Sequence, residues 1–222
     1  MDLAAGGSKL SSFKRDLMLE ELWLIHPGEA MCAAFAAKFA GLPRVRIVQA
    51  RFEDLEPHDC FVTAGNSYGI MSAGIDAAVV RRFGPELMQA VQFRILDEFY
   101  GEQPIGSAFV VPTGDLRLPF LCHSPTMRTP GCINGTDKVY TATWAALLAV
   151  QMHNRQQRDA RIDVVAFPAM GTGFGGMPND EAARQMAAAY RHFLDPPHRF
   201  DWDVVTSRER TICYDGGKQV AR

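Results

Sequence analysis

Two short stretches carry the residues that could do chemistry. FVTAGNSYGIMSAGIDAAV, residues 61–79, holds one amide, Asn66, and one carboxylate, Asp76, among small and apolar side chains. AFPAMGTGFGGMPNDEAARQM, residues 166–186, holds Gly171, Gly173, Gly175 and Gly176. Glycines let a ligand approach the main chain closely and expose consecutive N–H groups, which bind an anion without any net positive charge. Pro178 stands near a helix start, the end of a helix that favours anions. Asn66 can donate and accept, which suits a sugar hydroxyl. Asp76 in a first helical turn would also serve simply as a favourable charge. The glycines could equally permit a sharp strand-to-helix connection, and both readings stand at this point.

The elements that must position these loops follow from hydrophobic pattern. Strands are expected at 21–26, 45–50, 60–64, 106–113, 120–125 and 161–168, and helices at 29–39, 73–83, 85–100, 138–152 and 178–193. DVVTS, 203–207, and TICY, 211–214, are expected to finish the sheet. Val- and Ile-rich strands alternating with helices define an α/β layer fold with a mixed sheet. Each glycine loop then sits between the carboxyl end of a strand and a helix. Two such loops could clamp opposite sides of one phosphate-bearing ligand.

Other chemistries fit less well. Gly171, Gly173 and Gly176 form a literal GxGxxG. A dinucleotide fingerprint needs an acid ending the next strand, and here Leu194 and Asp195 fall in a turn with too little chain beyond. Cys122, His123 and Cys132 fit no closed zinc pattern, so no metal is expected. Neighbours on a strand point to opposite faces, which argues against a Cys122–His123 nucleophilic pair. Ser67 and Ser124 lack a GxSxG elbow. Arg128, just before Pro130, is a candidate phosphate contact or a loop-fixing ion pair. Tyr68 could line a nucleoside pocket or cover the core. Arg81 and Arg82 are expected on the solvated side of their helix.

Bulk properties bound the answer. The chain has 222 residues, 47% hydrophobic, with 23 basic against 25 acidic side chains. That length supports one sizeable core, and the balanced charge gives no basic track for nucleic acid. Residues 1–16 read as a flexible lead-in and 17–222 as a single domain. The five cysteines, Cys32, Cys60, Cys122, Cys132 and Cys213, are odd in number and irregularly spaced. They read as free thiols of a cytoplasmic protein, and no apolar run is long enough to span a membrane.

At the two loops the chain resembles the macro domain family, which pairs a "VNAAN…GGGVDxAI" stretch with a later "P…GTGxxGxP" stretch. Val62-Thr63-Ala64-Gly65-Asn66 and Ser72-Ala73-Gly74-Ile75-Asp76-Ala77-Ala78-Val79 match the first, and Pro168-Ala169-Met170-Gly171-Thr172-Gly173-Phe174-Gly175-Gly176-Met177-Pro178 the second. The resemblance covers roughly residues 43–192. It implies a three-layer α/β/α sandwich that binds ADP-ribose, with no cofactor. It places the diphosphate on the 171–176 loop, the Gly74 loop with Ile75 on its other side approaching the distal ribose, and Asn66 at that ribose; Gly65 and Tyr68 are further candidate ligand-binding residues. Asp76, together with Asn66, would be catalytic in releasing ADP-ribose from an acidic side chain of a modified protein or from a related ester. A non-catalytic binding module, or a binder of another nucleotide or an RNA end, is the alternative. His123 resembles a histidine that is mainly structural in the family.

Several positions depart from the pattern. Thr63 replaces the first Asn, and Ser72-Ala73-Gly74 replaces the glycine triplet. Ala50-Arg51-Phe52 stands where the family has "GDI", whose Asp grips the adenine amine; Arg51 donates and never accepts. Gly175 stands where an aromatic or branched residue is frequent, leaving Phe174 to stack instead.

Overall fold

The computed structural model describes residues 19–213 and 219–221; the expected lead-in at 1–16 and Tyr214 lie outside them. Six short apolar segments form one sheet: β1 Glu21–Ile25, β2 Val45–Val48, β3 Cys60–Thr63, β4 Phe109–Pro112, β5 Phe120–His123 and β6 Val164–Pro168. Their order is β2-β1-β6-β3-β5-β4, parallel throughout except for β4, which runs antiparallel to β5. Parallel neighbours need crossovers, and helices supply them. β4 and β5 are joined directly by a short loop, which obliges them to run in opposite directions.

Both faces of the sheet are covered, as its apolar strands require. Leu22, Leu24, Val62, Val165 and Phe167 pack on one face against α1 Glu29–Lys38, α4 Lys138–Gln156 and α5 Asn179–Leu194. Trp23, Ile25, Phe61, Leu121 and Ala166 face the other way, against α2 Gly74–Phe83 and α3 Pro85–Phe99. The strict alternation along each strand is the period of two that divides one sheet between two cores. The result is the expected three-layer α/β/α sandwich.

The end of the chain corrects one expectation. Residues 203–207 and 211–213 are not strands; they lie in one helix, α6 Trp202–Cys213. Val204, Val205, Thr211 and Ile212 suggested β-structure by their branching. Local polar bonds outweigh that weak preference. Asp201 accepts the Val204 N–H at 2.9 Å as an N-terminal cap. At the other end Arg184 donates to the carbonyls of Thr211 and Ile212, at 2.8 and 2.9 Å. The sheet ends at β4 and β2 instead.

Candidate functional site

A cleft of about 620 Å³ lies over the carboxyl ends of β2, β1, β6, β3 and β5. Each strand delivers lining residues in turn: Arg51, Phe52 and Glu53 after β2, then His26 and Pro27 after β1. Pro168, Ala169, Gly171, Thr172, Gly173, Phe174 and Gly175 follow from β6. Gly65, Asn66, Tyr68 and Ile70 come from β3, and Thr126, Met127, Thr129 and Pro130 from β5. The first turn of α2 closes the opposite wall with Gly74, Ile75 and Asp76. The volume suits a nucleotide-sized ligand.

The second glycine loop is folded on itself. Gly176 N–H donates to Gly173 O at 3.0 Å and Met177 N–H to Gly171 O at 3.1 Å. Ile133 N–H donates to Gly175 O at 2.8 Å, tying the loop to the 131–136 segment. The N–H groups of Gly173, Phe174 and Gly175 have no backbone acceptor among the described residues. Across the cleft, α2 starts without a side-chain cap, so its first N–H groups are also unsatisfied by the helix itself. Ala73 takes an ordinary extended conformation, φ −146°. Only Gly74 needs a left-handed one, φ +57°, so the Ser-Ala-Gly sequence supports this turn without a glycine triplet.

Asp76 lies on α2, 7% exposed, with Oδ1 lacking any hydrogen-bond partner among the described residues. Burial pushes its carboxyl up to about 7. A helix start favours the charged form by roughly 0.3–1 kcal/mol. Burial opposes the charged form by about 4 kcal/mol, so desolvation wins. Asn66 spends most of its amide on its own loop. Its Nδ2 donates to Ile70 O at 2.8 Å, and its Oδ1 accepts from the N–H groups of Tyr68 and Ile70 at 3.1 and 3.3 Å. One Nδ2 hydrogen remains for a ligand.

Of the residues expected at the site, all but Gly176 and Arg128 line this cleft. Arg128 Nε pairs with Glu102 at 2.6 Å, and Glu102 also accepts the Tyr68 hydroxyl at 3.0 Å. Phe174 is largely exposed at the rim. Arg81 reaches the cleft and pairs with Glu53 at 3.2 Å. Arg82 corrects the expectation of a solvated side chain: it is mostly covered, pairs with Asp115 at 3.3 Å and lies over the rings of Phe52 and Phe83. Sequence reading missed His26, Pro27, Thr126, Met127, Thr129 and Pro130 as lining. The signal that could have found them is position, immediately past a strand's carboxyl end.

His123 stands behind the first loop and is absent from the lining. It is fully buried, with Nδ1 2.6 Å from Gln103 Oε1, and burial pushes its pKa down to about 4. The neutral ring sets the identity of residue 65: a Cβ there would lie 2.4 Å from His123 Nε2. Gly65→Ala is therefore expected to destabilise the fold by about 1–3 kcal/mol. Urea unfolding checks this, and an unchanged midpoint would show that the ring can move aside.

Fold and cleft together define a class: a mostly parallel α/β sandwich with a cleft across its strands' carboxyl ends. The model of the Macro domain family matches residues 62–186. An uncharacterized protein of Aquifex aeolicus is 32% identical over 151 residues, 67% of this chain and 82% of that protein. A Thermotoga maritima protein is 29% identical over 153 residues, but the chain spans only 24% of its length. The Oceanobacillus iheyensis macrodomain with ADP is 27% identical with a TM-score of 0.52, covering 63% of this chain and 70% of that chain. A single-site mutant of that macrodomain with ADPR has a TM-score of 0.55 at 22% identity, covering 80% of each chain; this second likeness shows the fold alone. The chain belongs to the Macro domain family.

Proposed function

We propose that the cleft binds ADP-ribose or a close derivative and hydrolyses an ester linking ADP-ribose to a modified protein or a related carrier. One observation carries the catalytic half of this reading: Asp76, a buried carboxyl with a free oxygen, lines the cleft that both loops enclose. In its charged form it takes a proton from a bound water as that water adds across the ester. The ester C–O bond breaks and Asp76 returns that proton to the leaving oxygen, giving ADP-ribose and a free carboxylic acid with the carboxylate regenerated. The free N–H groups of the 173–175 segment and the α2 start would hold the diphosphate and stabilise developing charge. Asn66 would orient the distal ribose through its remaining Nδ2 hydrogen, with Gly65, Tyr68 and Ile75 around it.

A purely binding role is favoured by a different observation. Arg51, Glu53, Arg81, His26 and Tyr68 are the other titratable lining residues, and none of them shares a hydrogen bond with Asp76 Oδ1 among the described residues. The two readings separate in one experiment. Calorimetric titration with ADP-ribose, against ADP and NAD, tests binding; release of ADP-ribose from mono-ADP-ribosylated protein tests turnover. Heat without turnover leaves a binding module, and no heat from folded protein rejects ADP-ribose as the ligand.

In this reading residues 17–222 act as one domain, and nucleic acid is not a partner. Cys32, Cys60, Cys122 and Cys132 are free thiols, a state that suits a reducing compartment, and a cytoplasmic location is part of this reading. No described helix is long and apolar enough to cross a membrane.

A further inference from the structure

The order of strands says which part of a nucleotide ligand meets which wall of the cleft. The glycine loop follows β6, in the middle of the sheet, and Asn66 follows β3 on one side of it. His26 and Arg51 follow β1 and β2, on the other side. All of them line the one cleft. A ligand with its diphosphate on the 171–175 loop and its distal ribose at Asn66 must direct its nucleobase toward the β1–β2 side.

That side is rich in donors. Arg51 opens the short turn Phe52–Asp54. The turn is anchored from behind: Phe52 is buried and meets the Phe61 ring edge-on, with centroids 4.7 Å apart. Arg51 is exposed, and its guanidinium has no hydrogen-bond or ion-pair partner among the described residues. His26 Nδ1 accepts the Gly28 N–H at 2.9 Å, so the neutral ring carries its own proton on Nε2 as a further donor. The acceptor on this wall is Glu53, whose Oε1 is held by Arg81 Nη2 at 3.2 Å. Purines differ at the edge such a wall reads. Adenine sets an amine donor, N6, beside the N7 acceptor, whereas guanine and hypoxanthine set two acceptors side by side, O6 and N7. A guanidinium donates and never accepts, so its fork satisfies O6 and N7 together but meets the adenine amine donor to donor. Glu53 can accept from an amine of either adenine or guanine, so the carboxylate does not decide between them. The free fork of Arg51 does.

We propose that Arg51 sets the base preference of the cleft, and that the preferred ligand is the close derivative of ADP-ribose in which a 6-oxopurine replaces adenine. This rests on the ADP-ribose reading of the cleft and changes only the base. Arg51 donates through its planar fork to O6 and N7, the geometry that makes arginine a reader of guanine edges.

The test is calorimetric titration with ADP-ribose, GDP-ribose and IDP-ribose. GDP-ribose is expected to bind roughly tenfold tighter than ADP-ribose, the discrimination of one bidentate contact between a side chain and a base. IDP-ribose keeps O6 and N7 but lacks the 2-amine, and should keep most of the gain. Arg51→Gln should remove the gain and tip the order toward ADP-ribose, because a Gln amide donates to N7 of adenine and accepts from N6. Thermal unfolding of the variant checks that this exposed substitution leaves the fold intact. ADP-ribose binding as tightly as GDP-ribose, IDP-ribose binding no tighter than ADP-ribose, or a GDP-ribose preference that survives Arg51→Gln would each overturn Arg51 as the selector and leave the reading of the cleft intact. Failure of all three ligands to bind folded protein would overturn that reading and the base preference with it.

Discussion

Asp76→Asn is expected to lower ester hydrolysis by about 10²–10⁴-fold while retaining much of the ADP-ribose affinity. The amide keeps the shape of the carboxyl but cannot take a proton from water. The pH dependence follows from the same burial. With a carboxyl at about 7, activity that needs the charged form should rise with pH through neutrality and then level off. Stability should move the opposite way. The folded state holds this proton more tightly than the unfolded chain, whose carboxyl ionises near pH 4. The contribution to stability is fully present below the unfolded value, is lost as pH rises through about 7, and stays lost above it. Asp76→Asn cannot ionise, so at about pH 8 it should be more stable than the parent by on the order of 2–4 kcal/mol, with little difference near pH 4. Urea unfolding at both pH values reads the stability, and a pH–rate profile reads the chemistry. A variant that turns over like the parent would remove Asp76 from the reaction. Equal stability at both pH values would mean that the carboxyl ionises freely in the fold.

How much of this was legible in the sequence depends on whether local pattern or distant contact decided each feature. Phe61 and Val62, adjacent in one apolar run, face opposite cores; a run apolar at every position already announces a strand covered on both sides. The two glycine loops were legible because their residue types are unusual at a strand end. The helix at Trp202–Cys213 is masked in the sequence because its branched side chains favour strand, while the Asp201 cap that starts it is a single residue. Its carboxyl end is held by Arg184, far away in sequence, which no local pattern shows. The same limit applied to Arg82. Its helix position suggested solvent, and only the fold brings Asp115 and Phe52 to it. Asn66 was legible as a polar group in the site. That most of its amide is engaged by Ile70 and Tyr68 required the loop's geometry.

Gly175→Val is expected to fail in both stability and binding, although branched residues are frequent at the matching family position. A Cβ at 175 would lie 2.3 Å from Gly171 O and 2.8 Å from Ile133 Cγ1. The first obstacle is main chain, and it is fixed: Gly171 O accepts the Met177 N–H, while Gly175 O accepts the Ile133 N–H. Relieving the clash means giving up one of these bonds or moving Ile133 out of the core it packs in. Overpacking and a lost hydrogen bond together should cost about 2–4 kcal/mol. The opened loop should lose ADP-ribose affinity by roughly 100-fold, as expected when backbone donors to a charged group are displaced. Gly173→Ala provides the contrast, since a Cβ there meets nothing within 4 Å. Its stability should stay within about 0.5 kcal/mol of the parent, and any loss of affinity would come from the methyl group in the cleft. Thermal unfolding and calorimetry on the two variants separate packing from occupancy. Wild-type stability and affinity in Gly175→Val would show that the loop adapts as a branched family member's does, and that Gly175 is not what sets this loop's shape.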